Sequence, residues 1–263
     1  MEVIIRPDAE AAARLVARII EKELRSNPHL VLGLATGQTM ERVYRYLVNL
    51  HREENLDFSL CQTFNLDEYV GLAAEHPGSY RHYMNRHFFH QVEMDLRNTH
   101  LPNGLASDLD AECDRYEKRI EGFGGIDLQL LGIGQAGHIG FNEPLSALQS
   151  RTRVKALAPA TLAQNTPLFP DPTEMPHRAI TMGVGTILRC RRCLLLATGE
   201  SKADIIAKAV EGPITSMISA TALQLHTRCT VIVDEGAAER LQGTDYYRWI
   251  FANEPEWKEF QDA

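Results

Sequence analysis

The chain has 263 residues, 44% of them hydrophobic and 24% charged, which is ordinary for a globular protein able to bury a substantial core. Its formal net charge of −8 disfavours nucleic acid and anionic membranes as partners, because both select basic surfaces. The opening Val3-Ile-Ile5 is too short for a secretory signal, and no run reaches the roughly eighteen apolar residues of a membrane span, so a cytoplasmic location is expected.

Val3–Ile5 reads as a first strand. Asp8 then caps a helix whose apolar positions Ala12, Leu15, Val16, Ile19, Ile20 and Leu24 recur at three and four, until Pro28 ends it. Leu30–Leu34 reads as a buried strand, followed by the turn Ala35-Thr-Gly-Gln-Thr39 and a helix from about Met40 to His51. Strand, Thr/Gly turn and helix N-terminus together make a phosphate cradle, since free N–H groups and the helix dipole point at one spot. An ordinary N-cap by Thr39 is the competing reading.

Cys61–Asn65 reads as the third strand, running into Leu66-Asp-Glu-Tyr69. Two adjacent carboxylates cannot both enter the core, so Asp67 and Glu68 are candidates for a base facing a crevice, with a helix cap as the alternative. His76-Pro-Gly-Ser79 opens a helix through Tyr83, Phe88 and Phe89. Its His87 and His90 are spaced as metal ligands could be, but no carboxylate or cysteine falls in register, which favours a solvated face. Asp110 to Ile120 is amphipathic and helical, closed by Phe123-Gly-Gly125.

The middle of the chain carries the strongest signal. Leu128–Ile133 is a short apolar run without helical period, hence a buried parallel strand, and Gly132, Gly134, Gly137 and Gly140 then break it open. His138 and Glu143 are delivered into that turn, five positions apart, as a candidate acid/base pair. Gly132-x-Gly134-x-x-Gly137 formally matches a dinucleotide fingerprint. It leads to Pro144 instead of a helix, and the later Arg151-Thr-Arg-Val-Lys155 is basic where a ribose-binding acid belongs.

Val154–Leu157 reads as a strand. The polar stretch Pro159 to Pro176, with prolines also at 167, 170 and 172, is placed where a lid would lie. Ala179–Met182 precedes a short helix, and Cys193–Ala197 is another strand, whose turn Thr198-Gly-Glu-Ser-Lys202 presents Lys202 as a phosphate partner. Leu223–His226 and Thr230–Asp234 form a last strand region, and Tyr246–Ala263 is an aromatic, acidic tail. The five cysteines are odd in number and scattered, against a disulfide framework; Cys190-Arg-Arg-Cys193 has zinc-ligand spacing but no second pair, so reduced cysteines beside a strand are expected. Alternating strands and helices along residues 1–263 predict one α/β domain, a doubly wound, mainly parallel, Rossmann-like sheet with helices on both faces. The turns after Leu34, Asn65, Leu131 and Ala197 all follow strand ends and converge on one crevice.

Over nearly its whole length the chain resembles the glucosamine-6-phosphate deaminase family. The motifs are Leu32-Gly-Leu-Ala-Thr-Gly37, Phe64-Asn-Leu-Asp-Glu-Tyr-Val-Gly-Leu72, Gly137-His-Ile-Gly-Phe-Asn-Glu-Pro144, Ser150-Arg-Thr-Arg-Val-Lys155 and Leu223-Gln-Leu-His226. The resemblance implies ring opening of an amino-sugar phosphate, isomerisation and loss of ammonia to give fructose 6-phosphate. Asp67 matches the base that moves a proton from C2 to C1, His138 the group that assists ring opening, and Glu143 its partner. Thr36, Gly37, Gln38 and Thr39 match the phosphate loop, Lys202 matches a phosphate-binding lysine, and neither metal nor organic cofactor is implied. Arg153 and Lys155 match positions that bind an effector phosphate between subunits, which makes a homo-oligomer an expectation. Three positions depart from the pattern: Ala136 replaces an acid two residues before the histidine, Pro167 falls where a lid arginine clamps the phosphate, and Gln38 replaces a small residue. A 6-phosphogluconolactonase-like hydrolase and a non-catalytic sugar-phosphate sensor are the alternatives. Phe141-Asn-Glu-Pro144 with Asp67 favours the deaminase over the first, and retention of Asp67, His138 and Glu143 disfavours the second.

Overall fold

The computed structural model describes residues 1–169 and 171–261; Pro170 of the expected lid and the last two residues of the tail lie outside them. Among the described residues ten strands form: β1 Glu2–Arg6, β2 Val31–Leu34, β3 Gln62–Asn65, β4 Asp67–Tyr69, β5 Thr99–His100, β6 Leu128–Leu131, β7 Arg153–Ala156, β8 Arg178–Thr181, β9 Arg192–Ala197 and β10 Cys229–Asp234. Nine α-helices accompany them: α1 Ala9–Ser26, α2 Gln38–Glu54, α3 Tyr80–His87, α4 Leu109–Gly122, α5 Pro159–Asn165, α6 Val184–Ile187, α7 Ala203–Glu211, α8 Glu235–Ala238 and α9 Thr244–Asn253. Local chemistry sets several of the ends. The carboxylates of Asp8 and Asp108 accept the N–H groups of Ala11 and Ala111, capping α1 and α4, and Ser79 caps α3.

Seven strands make one wholly parallel sheet in the order β1-β10-β9-β6-β2-β3-β5, flanked by helices. From β2 the chain winds outward through β3 and β5, returns to β6 on the other side of β2, and winds outward again through β9 and β10. The switch therefore falls between β2 and β6, where the loops leaving the two strands diverge and open a crevice. β9, β6, β2 and β3 are neighbours in the sheet, so the four turns singled out in the sequence lie side by side at one edge. The strands are buried on both faces, which explains the unbroken apolar runs Leu194–Leu196 and Val231–Val233.

Two expectations change. The single sheet is joined by a second, three-stranded antiparallel one, β4-β8-β7, in which Asp67 and Arg153 both lie opposite Thr181. β4 is three residues long and two of them are acidic, too short and too polar for a periodicity argument. Leu223–His226 is not strand: Ser219–Leu225 is a 3-10 turn that leads into β10. The tail is packed, because Trp257 is fully buried and Phe260 nearly so. A small core of Tyr69, Phe141, Leu157, Phe169, Met175 and Ala179 supports the second sheet beside the main one.

Candidate active site

His138 lies in the turn that follows β6. Its Nδ1 meets Glu143 Oε2 at 3.0 Å, and Glu143 Oε1 accepts the Thr161 hydroxyl at 2.6 Å and the Ala158 N–H at 3.2 Å. Burial pushes the Glu143 carboxyl up, but the hydrogen bonds from His138 and Thr161 outweigh it and hold the group at about 2. An ionised Glu143 fixes the proton on Nδ1 and leaves the lone pair on Nε2, the arrangement a general base needs. Gly134 is required here for space: a Cβ on it would stand 2.1 Å from His138 Nε2.

Asp67 borders the same turn from the other side. A Cβ on Gly140, two residues from His138, would lie 3.5 Å from Asp67 Oδ2 and 3.0 Å from the Thr181 hydroxyl oxygen, and Gly140 has a φ of +55°. Asp67 is 6% exposed. Burial, reinforced by the charge of Glu68, raises its carboxyl to about 8 against the pull of the Phe141 N–H. Both carboxylates of the Asp-Glu pair are buried, contrary to the expectation that only one could be. Glu68 is spent on structure, accepting the N–H groups of Tyr69, Tyr80 and Arg81 at 2.9 Å each. The bonds from Tyr80 and Arg81 satisfy the first turn of α3 and the one from Tyr69 lies within β4, which is how a second acid tolerates the interior.

The turn after β2 lies beside this pair. Gly37 adopts a φ of +114°, and α2 begins at Gln38 with no side-chain cap; Thr39 is inside the helix and caps nothing. The uncapped first turn of a 17-residue helix leaves its N–H groups pointing out of the sheet edge. Tyrosines clamp the turn from behind: Tyr83 donates to Gly37 O at 2.8 Å, Tyr44 to Ala35 O, and the Tyr80 and Thr36 hydroxyls meet. Gln38 is exposed at the rim. A Cβ on Gly132, just after β6, would sit 3.4 Å from Met40 of α2, so the two loops adjoin. Lys202, before α7, donates to Ile133 O at 2.8 Å, and burial pulls its ammonium down.

The groups that brace the site come from different elements, so their bracing contacts have no local pattern to announce them. Thr161 reaches Glu143 from α5. Asn142 Nδ2 bridges Ile139 O and Met182 O at 2.9 and 2.8 Å, and Arg153 in turn donates to Asn142 Oδ1 at 2.9 Å and Ser146 Oγ at 3.1 Å. Arg153 is thus half-buried and engaged with the loop that carries Asn142 and Ser146. The described residues between 159 and 176 form α5 and two 3-10 turns, Thr166–Leu168 and Pro172–Glu174, with Thr161, Asn165, Phe169 and Met175 buried. Asn165 donates to the Tyr69 hydroxyl at 3.0 Å and Phe169 lies across Gly78, while Pro167 is exposed. Ala136 puts no carboxylate on the imidazole, and among the described residues Glu143 is the acid that meets it. Among the described residues His87, the last of α3, and His90, in the 3-10 turn Phe89–Gln91, join no ligand cluster. The His/Cys group that the described residues do assemble is elsewhere, at Cys190, Cys193 and His226.

The chain was compared with known proteins. The family model described as glucosamine-6-phosphate isomerases/6-phosphogluconolactonase matches residues 8–232. The chain is 47% identical over 252 residues to the glucosamine-6-phosphate deaminase of Shewanella woodyi, covering 96% of each, and 49% identical over 250 residues to that of Cellvibrio japonicus, covering 95% of each. A solved monomeric glucosamine-6-phosphate deaminase superposes with a TM-score of 0.89 at 45% identity, covering 91% of this chain and 100% of that one. The 6-phosphogluconolactonase from Trypanosoma cruzi shares the fold alone, with a TM-score of 0.72 at 20% identity over 92% of this chain and 97% of that one. The chain belongs to the family of glucosamine-6-phosphate isomerases and 6-phosphogluconolactonases.

Proposed function

We propose that the protein is a glucosamine-6-phosphate deaminase that opens the sugar ring, isomerises aldose to ketose and releases ammonia, leaving fructose 6-phosphate. The observation that carries the reading is the meeting, around one turn, of an imidazole paired with an ionised Glu143 and a buried, proton-holding Asp67. His138 Nε2 takes the proton of the anomeric hydroxyl and returns it to the ring oxygen, which unmasks the carbonyl. Glu143 holds the imidazole and offsets the positive charge it gains. Asp67 then moves a proton from C2 to C1. A carboxyl near pH 8 is suited to that shuttle, since it binds and gives up a proton at comparable free energy near neutrality. Protonation at C1 turns the enolamine into an imine at C2; water adds to that carbon and ammonia leaves, so the ketone oxygen comes from water.

The phosphate is assigned to Thr36, Gly37, Gln38, Thr39 and the α2 N-terminus, with Lys202 as the cation. No lysine or arginine occurs between Lys155 and Arg178, so the lid segment supplies no guanidinium and the helix N-terminus carries more of the anion binding. Arg153 has its donors on Asn142 and Ser146. An effector anion at Arg153 and Lys155 would compete with those bonds, so an allosteric role for the pair requires the second sheet to loosen. Among the described residues no helix is long and apolar enough to cross a membrane. A cytoplasmic site of action is proposed from the substrate, a phosphorylated sugar that does not cross a bilayer unaided. The test is to supply purified protein with millimolar glucosamine 6-phosphate and measure ammonia and fructose 6-phosphate. Stoichiometric formation of both is expected; hydrolysis of 6-phosphogluconolactone instead, or binding without turnover, would overturn the reading.

A further inference from the structure

On the side of β6 away from β2, the turn between α6 and β9 brings together three side chains the chemistry above does not use. Cys190 Sγ lies 3.2 Å from Cys193 Sγ and 3.6 Å from His226 Nε2, and all five cysteines of the chain are free. His226 Nδ1 accepts the Arg228 N–H at 3.0 Å, so the ring proton is on Nε2, which also donates to Cys190 O at 2.8 Å. An imidazole so engaged is a donor to the sulfur and has no lone pair left for a metal. Cys193, in β9, is deep in the sheet beside Cys229 of β10, whereas Cys190 lines a cavity of about 320 Å³ with Glu117, Arg151, Thr186 and Arg189. Both cysteines are buried, Cys190 at 6% exposure and Cys193 at 0%, but of the two it is Cys190 that borders the cavity.

We propose that Cys190 is a nucleophilic sulfur reached through this cavity, and that with Cys193 it forms a dithiol–disulfide pair that takes soft electrophiles and low-molecular-weight disulfides. The Cys190 thiol donates to Arg192 O at 3.2 Å; with the Cys193 sulfur and the His226 N–H beside it, it is held down at about 6, and once it is ionised both neighbours can donate to it. Burial, in contrast, pushes Cys61 and Cys229 up to about 12. The steps balance. The Cys190 thiolate attacks one sulfur of the small disulfide and expels the other half as a thiolate, which takes up the Cys193 proton. The Cys193 sulfur then attacks Cys190 and releases the second half as a thiolate. The protein loses two electrons and one small disulfide becomes two thiols. Cys193 resists ionisation mainly because it donates to the Cys190 sulfur, and capping that sulfur removes the obstacle.

The test treats intact, reduced protein with limiting iodoacetamide at neutral pH and follows each cysteine by peptide mass. Cys190 is expected to be alkylated on the order of tenfold or more faster than each of the other four. Oxidised glutathione should yield a Cys190–Cys193 linked peptide lacking two hydrogens, and Cys193→Ala should stop at glutathione on Cys190. Should that variant fail to fold, the order of labelling in the unmodified chain decides alone. A Cys190 that reacts only after denaturant is added, or a chain isolated with one equivalent of zinc that shields it, would overturn the proposal.

Discussion

Asp67→Asn separates what the buried acid does for the reaction from what it does to the fold. In the folded chain its carboxyl is raised from 3.8 to about 8, so the native state holds a proton that the unfolded chain releases above pH 3.8. The stability this proton represents is complete below 3.8 and is lost as pH rises through that value to about 8, at about 1.4 kcal/mol per pH unit. Between pH 5 and pH 7 the wild type should lose about 3 kcal/mol on this account, and a further 1 to 2 kcal/mol or so by pH 9. Asparagine keeps the shape, can accept the Phe141 N–H and carries no charge, so it escapes the loss. Urea unfolding of both proteins at pH 5, 7 and 9 should show the variant gaining on the wild type by those amounts, while turnover falls on the order of 10²- to 10⁴-fold with substrate binding retained. A stability gap that does not grow with pH would refute the reasoning about burial. Residual turnover close to wild type would refute the role of the base.

Glu143→Gln removes the charge that steadies His138, and neither orientation of the amide can serve His138, Thr161 and the Ala158 N–H as the carboxylate does. At about 1.5–3 kcal/mol for hydrogen bonds to a charged group, kcat should fall roughly ten- to a hundredfold with KM little changed, and an unaltered kcat in a folded variant would count against the pairing. Because that carboxyl sits at about 2 against its usual 4.5, wild-type stability should decline as pH falls from 4.5 toward 2, and the Gln variant should lack this decline in urea titrations. Gly134 is not among the positive-φ glycines, so Gly134→Ala strains no backbone and acts only by driving a Cβ into His138 Nε2. Its unfolding midpoint should stay near wild type while activity drops on the order of tenfold or more; full activity would show that the imbedded imidazole position is not the working one.

The parallel sheet was legible because its strands are buried on both faces and leave continuous apolar runs such as Leu194–Leu196 between helices with a clear period. The turns carrying Thr36, Asp67, His138 and Lys202 were legible for a related reason: glycines and polar residues interrupt those runs at one end only. The second sheet was not. Asp67-Glu-Tyr69 gives no alternation to read, and its partner β8 lies more than a hundred residues along the chain. Thr161 and Glu143, 18 residues apart, and Arg153 and Asn142, 11 apart, sit on different elements that no local pattern joins. His226 is an instance of a motif noticed without its purpose, since nothing in Leu223-Gln-Leu-His226 says that the ring turns toward Cys190, 36 positions earlier.

Two acids bordering one turn are pushed in opposite directions, and the cause differs at each. Glu143 is given three hydrogen-bond donors and stays ionised at about 2; Asp67 is given the interior, a like charge at Glu68 and the Phe141 N–H, and rises to about 8. Exchanging the environments would ruin both functions. An acid that held its proton at Glu143 could not keep Nδ1 protonated, and a carboxylate near 2 at Asp67 would be too weak a base to take a proton from carbon. Glu68 contributes from next door in the chain: burial raises its own carboxyl against the pull of the Tyr80, Arg81 and Tyr69 N–H groups, and its charge is part of what raises Asp67. The Asp-Glu pair therefore works as a unit, one acid held by backbone N–H groups so that its neighbour can carry the proton.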